Sequence, residues 1–293
     1  MAIGERDPHS GHLTTGHEWN GIKELNTPVP RAVWFFLILT VLFSIGWWIL
    51  MPAWPLGKTY TKGLLERDER QLVNERLERE RMKRSDWTSP ILARSAQAIL
   101  ADPVLMNAVR EDGARLFGDN CAACHGMSAR GGMGFPDLTD NDWLWGGSAE
   151  DIARTIDFGV NSSKSPYSHR SQMLAFGRDG ILDNDAVIAV ATYVRSLSDA
   201  TSARGDSPQA VATGRTIFAE NCTSCHGADA KGNRELGAPD LTDTTWLYGG
   251  DLQTVYTTIN EGRQGEMPAW EMRLNPVERK ILTVYVLNLG RHR

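Results

Sequence analysis

The hydrophobic residues of this chain form three patterns, and the first is a single long apolar run. From Ala32 to Met51, twenty residues follow one another without a charged side chain. A helix of that length rises about 30 Å, the thickness of a bilayer's hydrocarbon core. We therefore predict a transmembrane helix in residues 32–53, ended by Pro52 and Pro55. Tryptophans stand near both ends, where a membrane meets water.

A cleaved signal peptide is the alternative interpretation of this run. The 31 residues before it are polar, the run is longer than a signal sequence needs, and no small-residue cleavage site follows. We therefore favour an uncleaved anchor behind an N-terminal segment of residues 1–31. Its orientation is ambiguous from charge, because basic residues follow the helix more closely than they precede it, at Lys58, Lys62, Arg67 and Arg70.

The second pattern is a dense alternation of charges after the anchor. Residues 64–86 hold fourteen charged side chains, seven of each sign. Alternating signs at helical spacing are typical of a solvated helix. We predict that residues 54–99 form a charged, partly helical stalk; a helix that binds a partner is the alternative.

The third pattern occurs twice. Gly113 and Phe117 recur 101 residues later at Gly214 and Phe218, each pair ahead of a Cys-x-x-Cys-His-Gly motif. A Pro-Asp-Leu-Thr-Asp segment followed by Trp-Leu-x-Gly-Gly also recurs, at a shift of 103 residues. The first copy carries about nine extra residues, around 160–170. The repeat predicts two homologous domains, in residues 100–200 (the first copy) and 206–293 (the second copy), joined by residues 198–207.

Both copies begin and end with helical patterns. The last helix has Asn275 as its N-cap, Pro276 at its first position and Glu278 completing a capping box. The first copy ends in an apolar stripe that follows Asp183. The middle of each copy is rich in glycine, proline and aspartate and shows no strand pattern. Loops of that length need something at their centre to hold them in place.

The four cysteines indicate what lies there. Each belongs to a Cys-x-x-Cys-His motif, the attachment signature of c-type haem, and the motif residues are Cys121, Cys124, His125, Cys222, Cys225 and His226. Two thiols on one turn reach the two vinyl groups of a haem, and the adjacent imidazole ligates the iron. A redox dithiol would need a βαβ context, and a zinc site would need further ligands beside each motif. We predict two covalently bound haem c groups.

Each iron needs a second axial ligand further along the chain. Met267, in Met-Pro-Ala-Trp, is the candidate for the second haem, and Met173 occupies the equivalent position for the first haem. His169 and Met133 remain alternatives for the first haem. The choice bears on electron flow, because His/Met ligation raises the reduction potential of a haem.

Two prolines and two tryptophans repeat beside these motifs. The backbone carbonyl groups of Pro136 and Pro239 are candidates to accept the second N–H of each axial imidazole, which would fix the ring; simple turn prolines are the alternative. Trp143 and Trp246 either pack on the porphyrin or belong to the protein core, and we favour the core. The glycines of the Gly-Gly pairs suit turns with a positive φ.

Taken together, these elements resemble the dihaem cytochrome c subunit (subunit III, CcoP or FixP) of cbb3-type cytochrome c oxidases. The resemblance rests on the repeated Pro-Asp-Leu-Thr-Asp and Trp-Leu-x-Gly-Gly elements, on Met51–Pro55 at the end of the anchor, and on Thr15–Asn26 in the N-terminal segment. It implies a mainly α fold, with one N-terminal transmembrane helix followed by two tandem class I-like cytochrome c domains.

The resemblance also implies a function and a location. Such a subunit relays electrons from a donor cytochrome c, through a mono-haem subunit, towards a separate catalytic subunit that reduces oxygen, and it is not itself a catalyst. The chain would lie in a bacterial inner membrane, with its haem domains in the periplasm and its N-terminus in the cytoplasm. The basic residues that follow the helix favour the opposite orientation. A net charge of −5 without basic clusters excludes a nucleic-acid partner.

Three other functions compete with the electron relay. A free-standing membrane dihaem carrier would serve another reductase. A dihaem peroxidase would need a vacant axial site, which a methionine in each copy argues against. A haem-based sensor would need an output domain, and the sequence shows none.

Overall fold

The computed structural model of the chain describes residues 5–66, 68–198 and 207–290. The chain divides into two compact units, residues 1–83 and residues 84–293, which are described separately. Nearly all of the predicted joint between the copies, residues 198–207, lies outside the described residues.

The N-terminal segment contains a two-stranded antiparallel hairpin, β1 (Thr14–Trp19) and β2 (Ile22–Leu25). Asn20 and Gly21 have φ values of 52° and 83°. A two-residue hairpin turn with both φ values positive favours the Asn-Gly dipeptide, so this dipeptide is the sequence signal that identifies the hairpin.

Helix α1 (Arg31–Leu50) is the candidate transmembrane helix. Its 18-residue apolar window has a mean hydropathy of 2.3, and none of its side chains is buried by protein. Met51 is already extended, and Pro52 follows it. The apolar helix predicted from the sequence is therefore confirmed, although it ends three residues before the predicted boundary at residue 53.

Helix α2 (Glu69–Ala93) is the helical part of the predicted stalk, and it runs from the first unit into the second. In the first unit its side chains are mainly solvated, and Arg81 pairs with Glu78 at 2.6 Å three residues away. In the second unit the helix becomes apolar, and Ile91 is fully buried in a core. The charge alternation therefore marks the exposed part of the helix.

The second unit is helical, and its elements repeat between the copies. Helix α3 (Ala96–Leu100) lies at the end of the stalk, and the first copy contains α4 (Pro103–Asn120), α5 (Ala122–His125), α6 (Ala149–Phe158) and α7 (Asn184–Ser198). The second copy contains α8 (Pro208–Asn221), α9 (Thr223–His226), α10 (Leu252–Glu261) and α11 (Pro276–Leu289). The capping box predicted for α11 is present, because Asn275 and Glu278 each accept a hydrogen bond of 3.0 Å from the other's amide.

The two copies exchange their last helices. Helix α11, from the second copy, packs against α4 and α6 of the first copy, while α7 packs against α8 and α10 of the second copy. Ile281 and Leu282 accordingly lie in one core with Phe117. Each last helix therefore covers the other copy, although it ends its own copy in the sequence. The apolar stripe of a helix predicts which of its faces is buried, but two similar stripes do not show which body each one covers.

Candidate haem-binding sites

Each Cys-x-x-Cys-His motif forms one short helical turn directly after a long helix. Cys121 is both the C-cap of α4 and the N-cap of α5, and the amides of Cys124 and His125 donate to its carbonyl oxygen at 3.1 and 3.0 Å. Cys222 begins the same turn in α9. Both thiols and the imidazole of a motif therefore lie on one turn, as attachment of a c-type haem requires.

None of the four cysteines forms a disulfide bond. The first cysteine of each motif is half-buried and the second is exposed. Burial raises the pKa of the Cys121 thiol to about 11, and the neighbouring Cys124 adds to the effect. Burial likewise raises the pKa of Cys222 to about 11.

Both imidazoles are held by the carbonyl groups that the sequence singles out. Nδ1 of His125 lies 3.2 Å from the carbonyl oxygen of Pro136, and Nδ1 of His226 lies 3.1 Å from that of Pro239. With Nδ1–H donating to a carbonyl, Nε2 is the nitrogen left to bind a metal. Burial lowers the pKa of both imidazoles, so the neutral ring, which is the ligating form, is favoured.

Met267 lies in the core that surrounds the first motif. Its backbone pairs with Val160, through hydrogen bonds of 2.9 and 3.0 Å. Its side chain packs against the cluster of buried residues that contains Phe117, and Cys121 packs against the same cluster. The repeat pairs Met267 with the second haem, whereas the structure places its side chain in the core around the first motif, because this segment is exchanged together with α11.

Met173 occupies the complementary position. Its backbone pairs with Arg263 through hydrogen bonds of 2.9 and 3.1 Å. Its side chain packs against the cluster of buried residues that contains Phe218, and Cys222 of the second motif packs against the same cluster. The structure therefore places Met173 in the core around the second motif, so that each methionine lies in the core around the other copy's Cys-His turn.

The two alternative ligands of the first haem lie elsewhere. The Met133 side chain is 82% exposed. The His169 ring stacks on Trp145 with ring centroids 4.2 Å apart, and its Nε2 lies 3.2 Å from Oγ1 of Thr155. Neither side chain belongs to the core that contains Met267 and Cys121.

The repeated tryptophans belong to the protein cores, as we favoured. Trp143 packs on the first core and Trp246 on the second. A Cβ atom on Gly147 would lie 2.7 Å from Nε1 of Trp143, and one on Gly250 would lie 2.6 Å from Nε1 of Trp246. These two glycines make room for an indole, whereas Gly146 has the positive φ that we predicted, at 93°.

The donor set of each site fits a c-type haem. Two thiols on one turn can form thioether bonds, an imidazole is fixed through Nδ1, and a thioether sulfur lies in the same core. Among the residues that the structure describes, no cluster of three or more His, Cys, Asp or Glu side chains forms a separate metal site.

The fold and the paired sites define a class, a membrane-anchored protein with two cytochrome c domains. Family models match residues 11–58 (N-terminal domain of cytochrome oxidase-cbb3, FixP), 110–198 (cytochrome c) and 209–286 (cytochrome c oxidase, cbb3-type, subunit III). The chain therefore belongs to the FixP/CcoP family of cbb3-type cytochrome c oxidase subunits, and the predicted family and fold class are confirmed.

Curated relatives match along the whole chain. The FixP subunit of the cbb3-type oxidase from Bradyrhizobium diazoefficiens is 48% identical over 286 residues, 98% of this chain and 97% of the relative. The FixP subunit from Azorhizobium caulinodans is 45% identical over 97% of this chain and 95% of its own length. The CcoP subunit from Azospirillum brasilense is 41% identical, covering 99% of each chain.

Proposed function

We propose that this chain relays electrons from a donor cytochrome c towards the catalytic subunit of an oxygen-reducing cbb3-type oxidase. One observation carries the proposal. Each Cys-His turn shares its core with a methionine, so side chains can fill both axial positions of an iron and leave none open to a substrate. A relay needs this arrangement, whereas a peroxidase needs a free axial position.

The proposal assigns two haem c groups to the chain with crossed ligands. When bound, each supplies an iron that changes its charge by one electron. The residues that would hold the first group are Cys121, Cys124, His125 and Met267. The residues that would hold the second group are Cys222, Cys225, His226 and Met173.

The other residues of each site tune these ligands. The carbonyl oxygens of Pro136 and Pro239 orient the imidazoles and raise their basicity, through the hydrogen bonds at 3.2 and 3.1 Å. The apolar cores around Phe117 and Phe218 exclude water from the ligands. A methionine ligand in a dry site favours a high reduction potential, suited to a terminal oxidase.

The proposal places oxygen reduction on another subunit. The partners of this chain are then the catalytic and mono-haem subunits of the oxidase, together with the donor cytochrome. Membership of an oxidase family supports such partners. The free-standing carrier differs only in lacking them, so a search for bound subunits separates the two functions.

Helix α1 anchors the chain in the bacterial inner membrane, and we place the N-terminus in the cytoplasm and the haem domains in the periplasm. Covalent attachment of c-type haem on that side supports this orientation. The basic residues that follow α1 favour the opposite orientation, but long domains are translocated largely regardless of their charge.

The test is purification of the tagged full-length chain in a mild detergent, followed by a reduced-minus-oxidised spectrum and a count of covalent haem. We expect two covalent haems per chain and b-type bands from co-purified oxidase subunits. Two covalent haems without b-type bands, after cross-linking in the membrane before extraction, would favour the free-standing carrier. One covalent haem per chain would overturn the paired sites.

A further inference from the structure

The third residue of each Trp-Leu-x-Gly-Gly element contacts the opposite copy. The Trp145 indole of the first copy lies against Gly237 of the second copy, so closely that a Cβ atom there would overlap the ring. Tyr248 lies against Gly134 of the first copy, where a Cβ atom would be 3.3 Å from its ring. The two contacts are equivalent, because both residue pairs are related by the repeat shift of 103 residues.

Each of these glycines lies in a tight loop that ends at the proline whose carbonyl oxygen faces an axial imidazole. In the first copy, Gly132 and Phe135 exchange two backbone hydrogen bonds of 2.9 Å, with Gly134 between them. Pro136 comes next, and its carbonyl oxygen faces Nδ1 of His125. The Tyr248 ring therefore contacts the loop that positions the first axial imidazole.

The second copy repeats this loop. Asn233 and Ala238 exchange hydrogen bonds of 2.9 and 3.0 Å, and Gly237 lies between them with a φ of 63°. Pro239 follows, with its carbonyl oxygen facing Nδ1 of His226. The Trp145 ring contacts the loop that positions the second axial imidazole.

A cationic or cation-forming side chain of the same copy also contacts each ring. The Arg263 guanidinium lies 4.3 Å from the centre of the Tyr248 ring, and its Nη2 donates to Oγ1 of Thr258 at 2.8 Å. In the first copy, His169 stacks on Trp145 and contacts Thr155, the repeat equivalent of Thr258.

The extra residues of the first copy account for this difference. The repeat position of Arg263 is Val160 in the first copy, and a valine cannot support an indole in this way. The insertion around 160–170 brings His169 to that place instead. Each aromatic ring thus contacts a side chain of its own copy and a loop of the opposite copy.

Two polar contacts hold the copies in register around these rings. The amide of Gly134 donates to the carbonyl oxygen of Leu247 at 2.8 Å. The hydroxyl of Thr245 donates to Oδ2 of Asp142 at 2.5 Å, and these two residues are also repeat equivalents. The backbone beside Tyr248 is therefore hydrogen-bonded to the opposite copy, and a side-chain contact joins the segments that precede the two rings.

We propose that Trp145 and Tyr248 are positioning residues that act across the copies: Trp145 holds the Pro239 carbonyl against His226, and Tyr248 holds the Pro136 carbonyl against His125. This inference rests on the proposed haem ligation. Loss of a ring frees the loop glycine and weakens the imidazole hydrogen bond. A less basic imidazole stabilises the oxidised iron less, so the reduction potential of the haem in the opposite copy rises.

The test needs a separate potential for each haem in the full-length protein. Cys124→Ala removes an exposed thiol and leaves the first haem with a single thioether bond, which shifts its visible band and distinguishes it from the second haem. In the Cys124→Ala chain we would measure the reduction potential of each haem by redox titration, with and without Trp145→Leu or Tyr248→Leu. Trp145→Leu should raise the potential of the second haem alone, and Tyr248→Leu that of the first haem alone, by up to about 59 mV each, a tenfold change in the one-electron equilibrium.

Conservative variants separate positioning from general damage to the fold. Trp145→Phe and Tyr248→Phe keep a ring against the glycine and should leave both reduction potentials close to those of the Cys124→Ala chain. A shift confined to the haem of the mutated copy, or equal shifts of both haems, would overturn the crossed positioning. If those samples still carry two covalent haems, the proposed function stands even when the positioning does not. If the unmodified chain carries fewer than two covalent haems, the proposed function itself is refuted.

Discussion

Nη1 of Arg279 lies 2.6 Å from Oδ1 of Asp157, an ion pair that joins the two copies. Asp157 belongs to α6 of the first copy and Arg279 to α11 of the second copy. Both side chains are largely buried, at 30% and 19% exposure. The pair therefore stabilises the exchanged arrangement, because an α11 that covered its own copy would have no such contact with α6.

We expect Arg279→Gln to lower the free energy of unfolding of the haem-loaded protein by about 1–3 kcal/mol, since it leaves a half-buried carboxylate without its partner. Arg81→Gln is the matched control, because Arg81 forms an ion pair of the same length with Glu78 on the exposed stalk. The control should cost at most about 0.5 kcal/mol. Denaturant unfolding followed by circular dichroism measures both, and equal losses would contradict the structural importance of the buried pair.

Gly113 gives a second measure of the exchange. It lies in α4, and a Cβ atom there would be 2.8 Å from the side chain of Tyr285 on α11. Although alanine is the better helix former, we expect Gly113→Ala to cost about 1–3 kcal/mol of unfolding free energy through overpacking.

Gly118, in the same helix, is the control for that substitution. Its added Cβ would meet a single neighbour, Cε of Met127, at 3.9 Å. Gly118→Ala should therefore be neutral or stabilising by about 0.5–1 kcal/mol. If Gly113→Ala proved as harmless, α11 would not pack on α4 as closely as the structure shows.

His169 predicts a dependence of stability on pH. Burial and the nearby Arg154 lower the pKa of its imidazole below 6.5, while Asp151 opposes them; Arg234 and Glu235 of the second copy line the same cleft. The unfolded state then binds a proton at a higher pH than the folded state. Stability is unaffected above about pH 6.5 and falls as the pH decreases below it.

The variant His169→Gln should therefore lose less unfolding free energy than the parent between about pH 7 and pH 5. His12→Gln, which changes an exposed histidine of the N-terminal segment, is the control for replacing a histidine by glutamine. Parallel curves for the parent and His169→Gln would show that His169 titrates alike in the folded and unfolded states.

The sequence predicts the local features of this molecule and fails on the long-range ones. The apolar run of α1, the capping box at Asn275 and the two Cys-His turns all depend on neighbouring residues, so their patterns predict them directly. The hairpin turn at Asn20 and Gly21 has an equally local signal, the Asn-Gly dipeptide itself.

The pairing of the copies could not be predicted in this way. Helices α7 and α11 have similar apolar stripes, and the repeat places Met173 and Met267 at equivalent positions. A pattern of this kind specifies that a methionine approaches a Cys-His turn but not which turn. The choice is made by contacts between residues more than a hundred positions apart, such as Met267 with Val160 and Asp157 with Arg279.

The proposed exchange of the two methionine ligands leads to the most direct prediction. In the Cys124→Ala chain, whose first haem is spectrally distinct, Met267→His should lower the potential of the first haem and leave the second nearly unchanged, because bis-histidine ligation lies below His/Met ligation. Met173→His should do the reverse. Redox titration at both visible bands measures this, and haem content checks that both groups stay attached. Potentials that fell within the same copy as each substitution would show that the methionines are not exchanged.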